Sequence, residues 1–319
     1  MLLENAAPWR QHLLLWSDAT TPALRSQLLR GLNSGDLVRV RRGVYMPSVI
    51  HLAATSRERH LWTMRAAALT HERSLVFAHL SAACAWGLPN TGSWPALPHV
   101  LVGPGEGRSS RGFHRHAMWD ENVENVDGLL VAPVARTIMA VARTEPLSVA
   151  LPMADHALPG NRYRQSLLTG AEPLARELPL PGLRGSSMAR LVLELADGRS
   201  GSAGESLSRA GMAVLRMPLP DLQTRFFDEA GVIGEVDFHW PVNRLIGEFD
   251  GRGKYLRDEQ RAGRTAGEVV YDEKLREDRL RRLGEAVTRW GWETAQGLAS
   301  LRSVLLAAGL RPVRRPTVL

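Results

Sequence analysis

Five side chains in the last part of the chain, Glu205, Asp237, Glu248, Asp250 and Lys254, have types and spacings suited to phosphodiester chemistry. In Glu235-Val236-Asp237-Phe238-His239-Trp240 polar and apolar residues alternate, which is the periodicity of a strand. Asp237 then shares a face with Glu235 and His239, while Val236, Phe238 and Trp240 share the other. Glu248 and Asp250 lie two apart on the next strand and point the same way, so strand pairing would bring Asp237 up to them. Carboxylates gathered at the end of a sheet repel one another, and a bound divalent cation relieves that repulsion. Hard oxygen donors in this number suit Mg²⁺ or Mn²⁺, with water and a substrate phosphate completing the shell. Gly251 and Gly253 allow a sharp turn, after which Lys254 presents an ammonium to the same place. Such a set can bind phosphate, orient an attacking water and stabilise the charge of phosphodiester hydrolysis. The competing reading is that acidic residues simply decorate hairpin ends, because structural ion networks also gather carboxylates.

The cations sharpen this reading. Of the 40 basic residues only Lys254 and Lys274 are lysines. A bias toward Arg makes a retained Lys informative, since an ammonium and a guanidinium are not interchangeable at a reacting centre. Lys274 has an equally good account as a surface helix residue, with Glu277 and Asp278 three and four positions on. A second basic group lies near the N terminus: Arg25, Ser26 and Arg30 on one helix, then Arg39, Arg41 and Arg42 on a hairpin. Arg25, Ser26 and Arg30 fall outside the Leu24–Leu28 stripe and could enter a major groove, while hairpin arginines reach phosphates or the minor groove.

Three blocks of elements must position these groups. Thr21-Pro22 is an N-cap followed by a proline in the first turn, and Leu24, Leu28, Leu29 and Leu32 then form a helical stripe that Asn33-Ser34-Gly35 stops. Leu37–Arg41 alternates, Arg42-Gly43 turns and Val44–Met46 returns. Residues 51–197 mix helices (57–70, 81–86, 133–141, 147–158, 188–196) with strands at 100–102 and 113–116. Residues 198–319 read as a helix over 205–216 and strands over 223–227, 234–240 and 244–249. A charged helix over 269–283, a strand over 286–290 and a helix over 296–308 complete them, giving an α+β sandwich.

Weaker signals point to structure. Gly103-Pro104-Gly105-Glu106-Gly107 lacks the Lys-Ser/Thr of a phosphate loop and reads as a turn. His114 and His116 share a strand face, but no third metal ligand stands at a convincing spacing. Cys84 lies in an apolar helix and reads as a small buried hydrophobe. Trp290 and Trp292 read as core.

Glu248-Phe249-Asp250-Gly251 followed by Lys254-Tyr255, with Val236-Asp237-Phe238 before it, resembles the endonuclease core of the PD-(D/E)XK superfamily in its Vsr-like branch. Glu273–Asp278, Arg282-Leu283-Gly284 and Val287–Trp290 are similar to the segments that follow, and Glu205 stands where that superfamily places an acidic residue on its first core helix. The resemblance implies a metal-dependent nuclease with Asp237, Glu248 and Asp250 as ligands, and with Lys254 or Lys274 supplying the cation. Asp250 stands where the superfamily's usual E-x-K has lysine, which leaves the choice between the two open. Gly35–Tyr45, with Leu80–Ala83, Gly87-Leu88-Pro89 and Ala135-Arg136-Thr137, resembles the N-terminal winged helix of AbiEi-like antitoxins of type IV toxin–antitoxin systems. Together these imply a winged helix-turn-helix over 1–50, a mixed α/β middle domain over 51–197 and a nuclease-like domain over 198–319.

Composition sets the outer bounds. The 319 residues carry a net charge of +7, are 44% hydrophobic and 23% charged, and contain one cysteine, which excludes a disulfide framework and an all-cysteine zinc site. The positive excess is concentrated early: residues 1–190 hold 20 basic and 14 acidic side chains, against 20 and 19 in 191–319. That polarity favours a polyanionic partner. No apolar run reaches the length of a membrane span, and the first residues lack the pattern of a secretion signal, so the expected location is cytoplasmic. The expectation is a DNA-binding, Mg²⁺- or Mn²⁺-dependent endonuclease, acting as a homodimer if it cuts both strands. The alternative is a non-catalytic DNA-binding repressor or antitoxin that neutralises a cognate toxin.

Overall fold

The computed structural model describes residues 8–103, 109–110, 112–117, 122–160, 168–251 and 266–313. Among these residues twelve α-helices and three sheets make a mixed α+β protein, and no helix is long and apolar enough to cross a membrane. Contacts divide the chain into two compact units, residues 1–141 and 142–319, rather than at the expected boundaries of 50 and 197.

In the first unit Thr21 caps α1 (Pro22–Ser34), its hydroxyl accepting from the Leu24 N–H at 3.3 Å, and Gly35 ends the helix at φ +82°. Strands β1 (Leu14–Leu15), β2 (Leu37–Arg41) and β3 (Val44–Pro47) form an antiparallel sheet in the order β1-β3-β2. A short helix, α2 (Ser48–Ala53), leads to α3 (Ser56–Thr70), which opens on a capping box between Thr55 and Glu58. Leu13, Val44 and Met46 share one hydrophobic cluster with Ala54, Trp62 and Ala66. That cluster is why the first 50 residues do not separate from the helix that follows.

Next come β4 (Val76–Phe77), α4 (His79–Ala85), β5 (His99–Val102), β6 (Ser109–Ser110), β7 (Phe113–Ala117), β8 (Glu124–Val126), β9 (Leu129–Val131) and α5 (Val134–Ala142). The strands build a six-stranded sheet in the order β6-β7-β5-β4-β9-β8. The two-residue β4 and the β8–β9 hairpin are too short to show periodicity in sequence.

The second unit begins with α6 (Leu147–Ala157), α7 (Ala171–Arg176), α8 (Ser186–Leu195) and α9 (Ala203–Val214). Buried Asp155 on α6 pairs with Arg209 on α9 at 2.6 Å and accepts the Asp197 N–H at 2.8 Å. Removing either partner would strand a buried charge, so this pair joins α6 firmly to the C-terminal elements.

Strands β10 (Asp221–Asp228), β11 (Gly231–Trp240), β12 (Leu245–Asp250) and β13 (Ala286–Gly291) then lie in sequence order in one sheet. The first three are antiparallel, and β13 runs parallel to β12 after the crossover helix α10 (Ala266–Arg282). The closing helix expected over 296–308 is α12 (Leu298–Ala307), and a short helix, α11 (Trp292–Gln296), precedes it. One hydrophobic cluster joins Leu207 and Met212 of α9 and Leu301 and Leu305 of α12 to Phe238, Trp240, Phe249 and Trp290 of the sheet. A second joins Leu280 of α10 to Ile233, Val236 and Ile246. The sheet is therefore sandwiched between helices, as the pattern of elements requires.

Gly204 sets how closely α9 approaches this sheet. A Cβ there would overlap ring carbons of Phe249, which is 2% exposed and has no room to retreat. Alanine gains up to about 1 kcal/mol over glycine inside a helix, but overpacking a filled core costs about 1–3 kcal/mol. Gly204→Ala is expected to lower the midpoint of thermal unfolding; an unchanged or raised midpoint would show that α9 can move away from Phe249.

Candidate functional site

The side chains singled out in the C-terminal unit meet where α9, β10, β11 and β12 come together. Extending the β11–β12 register by one pair beyond Phe238↔Gly247 sets Asp237 opposite Glu248. Both are buried, at 7% and 5% exposure, as is Glu205 at 4%. Asp237 Oδ2 accepts the Phe249 N–H at 2.8 Å, so the carboxylate is fixed by the backbone of the neighbouring strand. Glu205 lies in the first turn of α9, where Oε1 accepts from the Ser202 hydroxyl at 2.8 Å and Oε2 from the Gly201 N–H at 2.7 Å. A carboxylate is electrostatically favoured at a helix N-terminus.

Gln223 connects these groups. Its Nε2 donates to Glu205 Oε2 at 2.9 Å and to Asp237 Oδ1 at 3.3 Å. Its backbone is left-handed, at φ +51°, within β10. A non-glycine residue in that region costs about 1–3 kcal/mol and persists only where its surroundings impose it. Strand pairing passes from Leu222↔Phe238 to Thr224↔Val236 on either side of this position. The irregularity faces the stretch where three consecutive residues, Val236, Asp237 and Phe238, are all buried. The expected alternation fails there: Val236 packs with Ile246 and Leu280, whereas Phe238 and Trp240 pack with Phe249 and Trp290. Sequence reading missed Gln223, because a single amide within a strand carries no periodic or motif signal.

On the other side Arg276 of α10 donates through Nη2 to Glu248 Oε1 and to the Glu235 carbonyl, each at 2.9 Å, and pairs through Nη1 with Glu273 at 2.9 Å. Burial by itself lowers the Arg276 guanidinium, but Glu248 and Glu273 outweigh it and hold the group above its ordinary value. Arg289 of β13 pairs with Glu273 at 2.6 Å, with Glu277 at 3.1 Å and more loosely with Asp250 at 3.7 Å. It is likewise raised, its carboxylate partners outweighing desolvation. Arg276 and Arg289 thus pair with Glu248, Asp250, Glu273 and Glu277, while Gln223 joins Glu205 to Asp237.

Asp237 and Glu248 are brought together as expected. Asp250 leans instead toward Arg289, at 3.7 Å. Lys254 lies outside the described residues, as do residues 104–107 of the glycine-rich turn. Lys274 is exposed on α10 and makes no ion pair among the described residues, neither with Asp278, its expected i+4 partner, nor with Glu277, which pairs with Arg281 and Arg289. Arg276 is the cation that the fold delivers to Glu248.

At the N terminus Ser26, Arg30, Arg39 and Arg42 are exposed. Two of the arginines are committed to packing. Arg25 donates to the Ala19 carbonyl at 3.0 Å with its guanidinium 5.6 Å from the Trp16 ring. Arg41 lies 4.5 Å from the Phe113 ring and reaches the Gly112 carbonyl at 3.4 Å, and burial lowers its guanidinium. Cys84 is fully buried, and desolvation pushes its thiol up to about 12, so it is inert packing. Trp290 is core, as expected.

His116 has neighbours that its spacing from His114 does not indicate: one ring nitrogen each of His79, His99 and His116 lie within 4.8 Å of one another. His79 and His99 stand on other elements of the first unit, so sequence spacing could not reveal them.

The class defined by this architecture is an α+β protein whose C-terminal sheet carries a buried, carboxylate-rich site. No family model matches the chain. It is 32% identical over 265 residues, covering 79% of this chain and 92% of the relative, to the uncharacterized protein Rv2248 of Mycobacterium tuberculosis strain ATCC 25618 / H37Rv. The same identity and coverage hold for the uncharacterized protein MT2308 of strain CDC 1551 / Oshkosh. The chain belongs to the family of these mycobacterial proteins.

The strain at Gln223 has a measurable consequence. Gln223→Gly relieves about 1–2 kcal/mol of left-handed penalty against about 0.5–1 kcal/mol of added glycine entropy. Both Gln223→Gly and Gln223→Ala also lose the amide that donates to Glu205 and Asp237, a loss of about 1.5–3 kcal/mol, so thermal stability is expected to fall in each, and less in Gln223→Gly. Gln223→Ala keeps the strain and should unfold at lower temperature than Gln223→Gly. The reverse order in thermal melts would refute the strain assignment.

Proposed function

We propose that the chain is a DNA-binding, divalent-metal-dependent endonuclease whose site is built on Asp237 and Glu248. The observation that carries this reading is their opposition across β11 and β12, both buried, with the Asp237 carboxylate clamped by the Phe249 N–H. Two opposed buried carboxylates are a donor set that fits Mg²⁺ or Mn²⁺, which prefer few carboxylates and oxygen donors. Asp237 and Glu248 would hold the ion, which supplies Lewis-acid stabilisation of the charge building on a phosphodiester. Gln223 and Glu205 keep Asp237 in place. Arg276 balances the charge of Glu248. This reading agrees with the resemblance to the Vsr-like branch of the PD-(D/E)XK superfamily, with Lys254 as the further cation.

Purified protein incubated with supercoiled plasmid and either Mg²⁺, Mn²⁺ or EDTA tests it. Metal-dependent nicking is expected, reduced by at least about 100-fold in Asp237→Asn and Glu248→Gln, the scale of losing a preorganised catalytic group. Cleavage that survives Asp237→Asn, or that ignores EDTA, would refute the assignment.

A second reading is favoured by the Arg276–Glu248 ion pair, which already neutralises one expected metal ligand. On this reading the chain is a DNA-binding repressor or antitoxin without hydrolysis, acting with a toxin partner. Both readings use the N-terminal helix and hairpin, which resemble a winged helix-turn-helix, as the DNA contact. The exposed pair Arg39 and Arg42 is the informative one to reverse, because Arg41 is packed on Phe113. Arg39→Glu with Arg42→Glu is expected to weaken DNA binding and flatten its salt dependence. An unchanged gel-shift affinity across salt concentrations would discard this contact surface.

A further inference from the structure

We propose that His79, His99 and His116 form a second, separate site in the first unit, one that takes a d-block divalent cation of the zinc class. The three residues come from three elements that the six-stranded sheet brings together. His79 is the first residue of α4, directly after β4 and Ala78, whose N–H donates to the His99 carbonyl at 3.0 Å. His99 begins β5, and His116 lies on the parallel neighbour β7, in register with Leu101 while His114 pairs with His99. Residues two apart on a strand share a face, so His99, His114 and His116 line one side of the sheet, opposite Val100, Val102 and Phe113 in the hydrophobic cluster.

The fold gathers the three rings. His99 Nδ1 and His116 Nε2 are hydrogen-bonded at 2.8 Å, and the His79 ring stacks 4.7 Å from that of His99 and 5.1 Å from that of His116. The rings lie within 22° of parallel, and zinc–nitrogen bonds of about 2.0–2.1 Å place tetrahedral ligands about 3.3–3.4 Å apart, so a bound ion would replace the His99–His116 hydrogen bond and turn the rings until one nitrogen of each converges on it. Support around the triad is built in. The buried Ser81 hydroxyl accepts the His99 N–H at 2.8 Å and lies 2.8 Å from His60 Nε2. The His79 backbone is held left-handed at φ +51°, a conformation that costs energy and marks a side chain whose direction is imposed.

The electrostatics agree with the geometry. Burial, followed by repulsion from the other histidines, pushes His79 down to about 3 and His99 to about 2, and lowers His116 as well. The three rings are therefore neutral at physiological pH, the form that ligates. Three imidazoles without carboxylate select zinc, nickel, cobalt or copper over magnesium, so this site and the carboxylate site take different ions. A three-histidine set leaves a fourth position for water or a substrate atom, as catalytic zinc sites do. His99 and His116 are only partly buried, and His114, whose ring lies 4.6 Å from that of His99, is exposed beside them.

The test is equilibrium dialysis of the full chain, freed of any histidine tag, against Zn²⁺ with metal content read by mass spectrometry, together with Co²⁺ titration followed by visible absorption. One equivalent of zinc and a tetrahedral cobalt spectrum are expected. His116→Gln and His99→Gln should each weaken binding by more than the roughly 10–100-fold that changes outside the ligand shell produce. Asp237→Asn should leave it intact, which separates this site from the nuclease reading. Circular dichroism checks that each variant is folded. Should a single variant unfold, zinc-dependent protection of the natural chain against thermal unfolding decides the matter. No stoichiometric zinc in the natural chain, or zinc bound equally by folded His116→Gln, would overturn the proposal.

Discussion

The close approach of α9 to β12, permitted by the missing side chain at Gly204, is the constraint on which the C-terminal unit depends. Phe249 fills the space under the helix, and its own backbone N–H holds Asp237. One residue thus packs the core with its ring and orients a carboxylate with its amide. Glu205, next to Gly204, is brought to the same place by the same contact. The hydrophobic cluster and the polar site are therefore one construction: what excludes water from Phe249 and Trp290 also buries the acids beside them.

Buried carboxylates are costly unless they are hydrogen-bonded or balanced by charge. The protein meets this cost unevenly. Glu205 is satisfied by Ser202, Gly201 and Gln223, and Glu248 by Arg276, while Asp237 is held by neutral donors and faces Glu248 across the strand pair. Excess negative charge thus coincides with the left-handed backbone of Gln223.

The first unit concentrates a different chemistry. Five of the ten histidines, His60, His79, His99, His114 and His116, gather on and around one sheet. Arg41 of the hairpin stacks on Phe113, the first residue of the strand that carries two of them. Phe113 faces the hydrophobic cluster, so the hairpin meets the sheet on the side opposite the histidines.

Much of the local structure was legible in the residue order. Thr21-Pro22 and Gly35 bracket α1, the alternation of 37–46 gives a hairpin, and the helix and strands from 203 to 291 stand close to where they are expected, although alternation breaks over Val236–Phe238. The short connection between β11 and β12 leaves little freedom of register, which sets Asp237 opposite Glu248. What the sequence could not decide were relations between distant segments. Arg276 at Glu248, Gln223 between Glu205 and Asp237, Asp250 turned toward Arg289, and three histidines from separate elements all depend on sheet order and helix docking. These are long-range packing outcomes, and local periodicity holds no information about which side chains meet across a sheet.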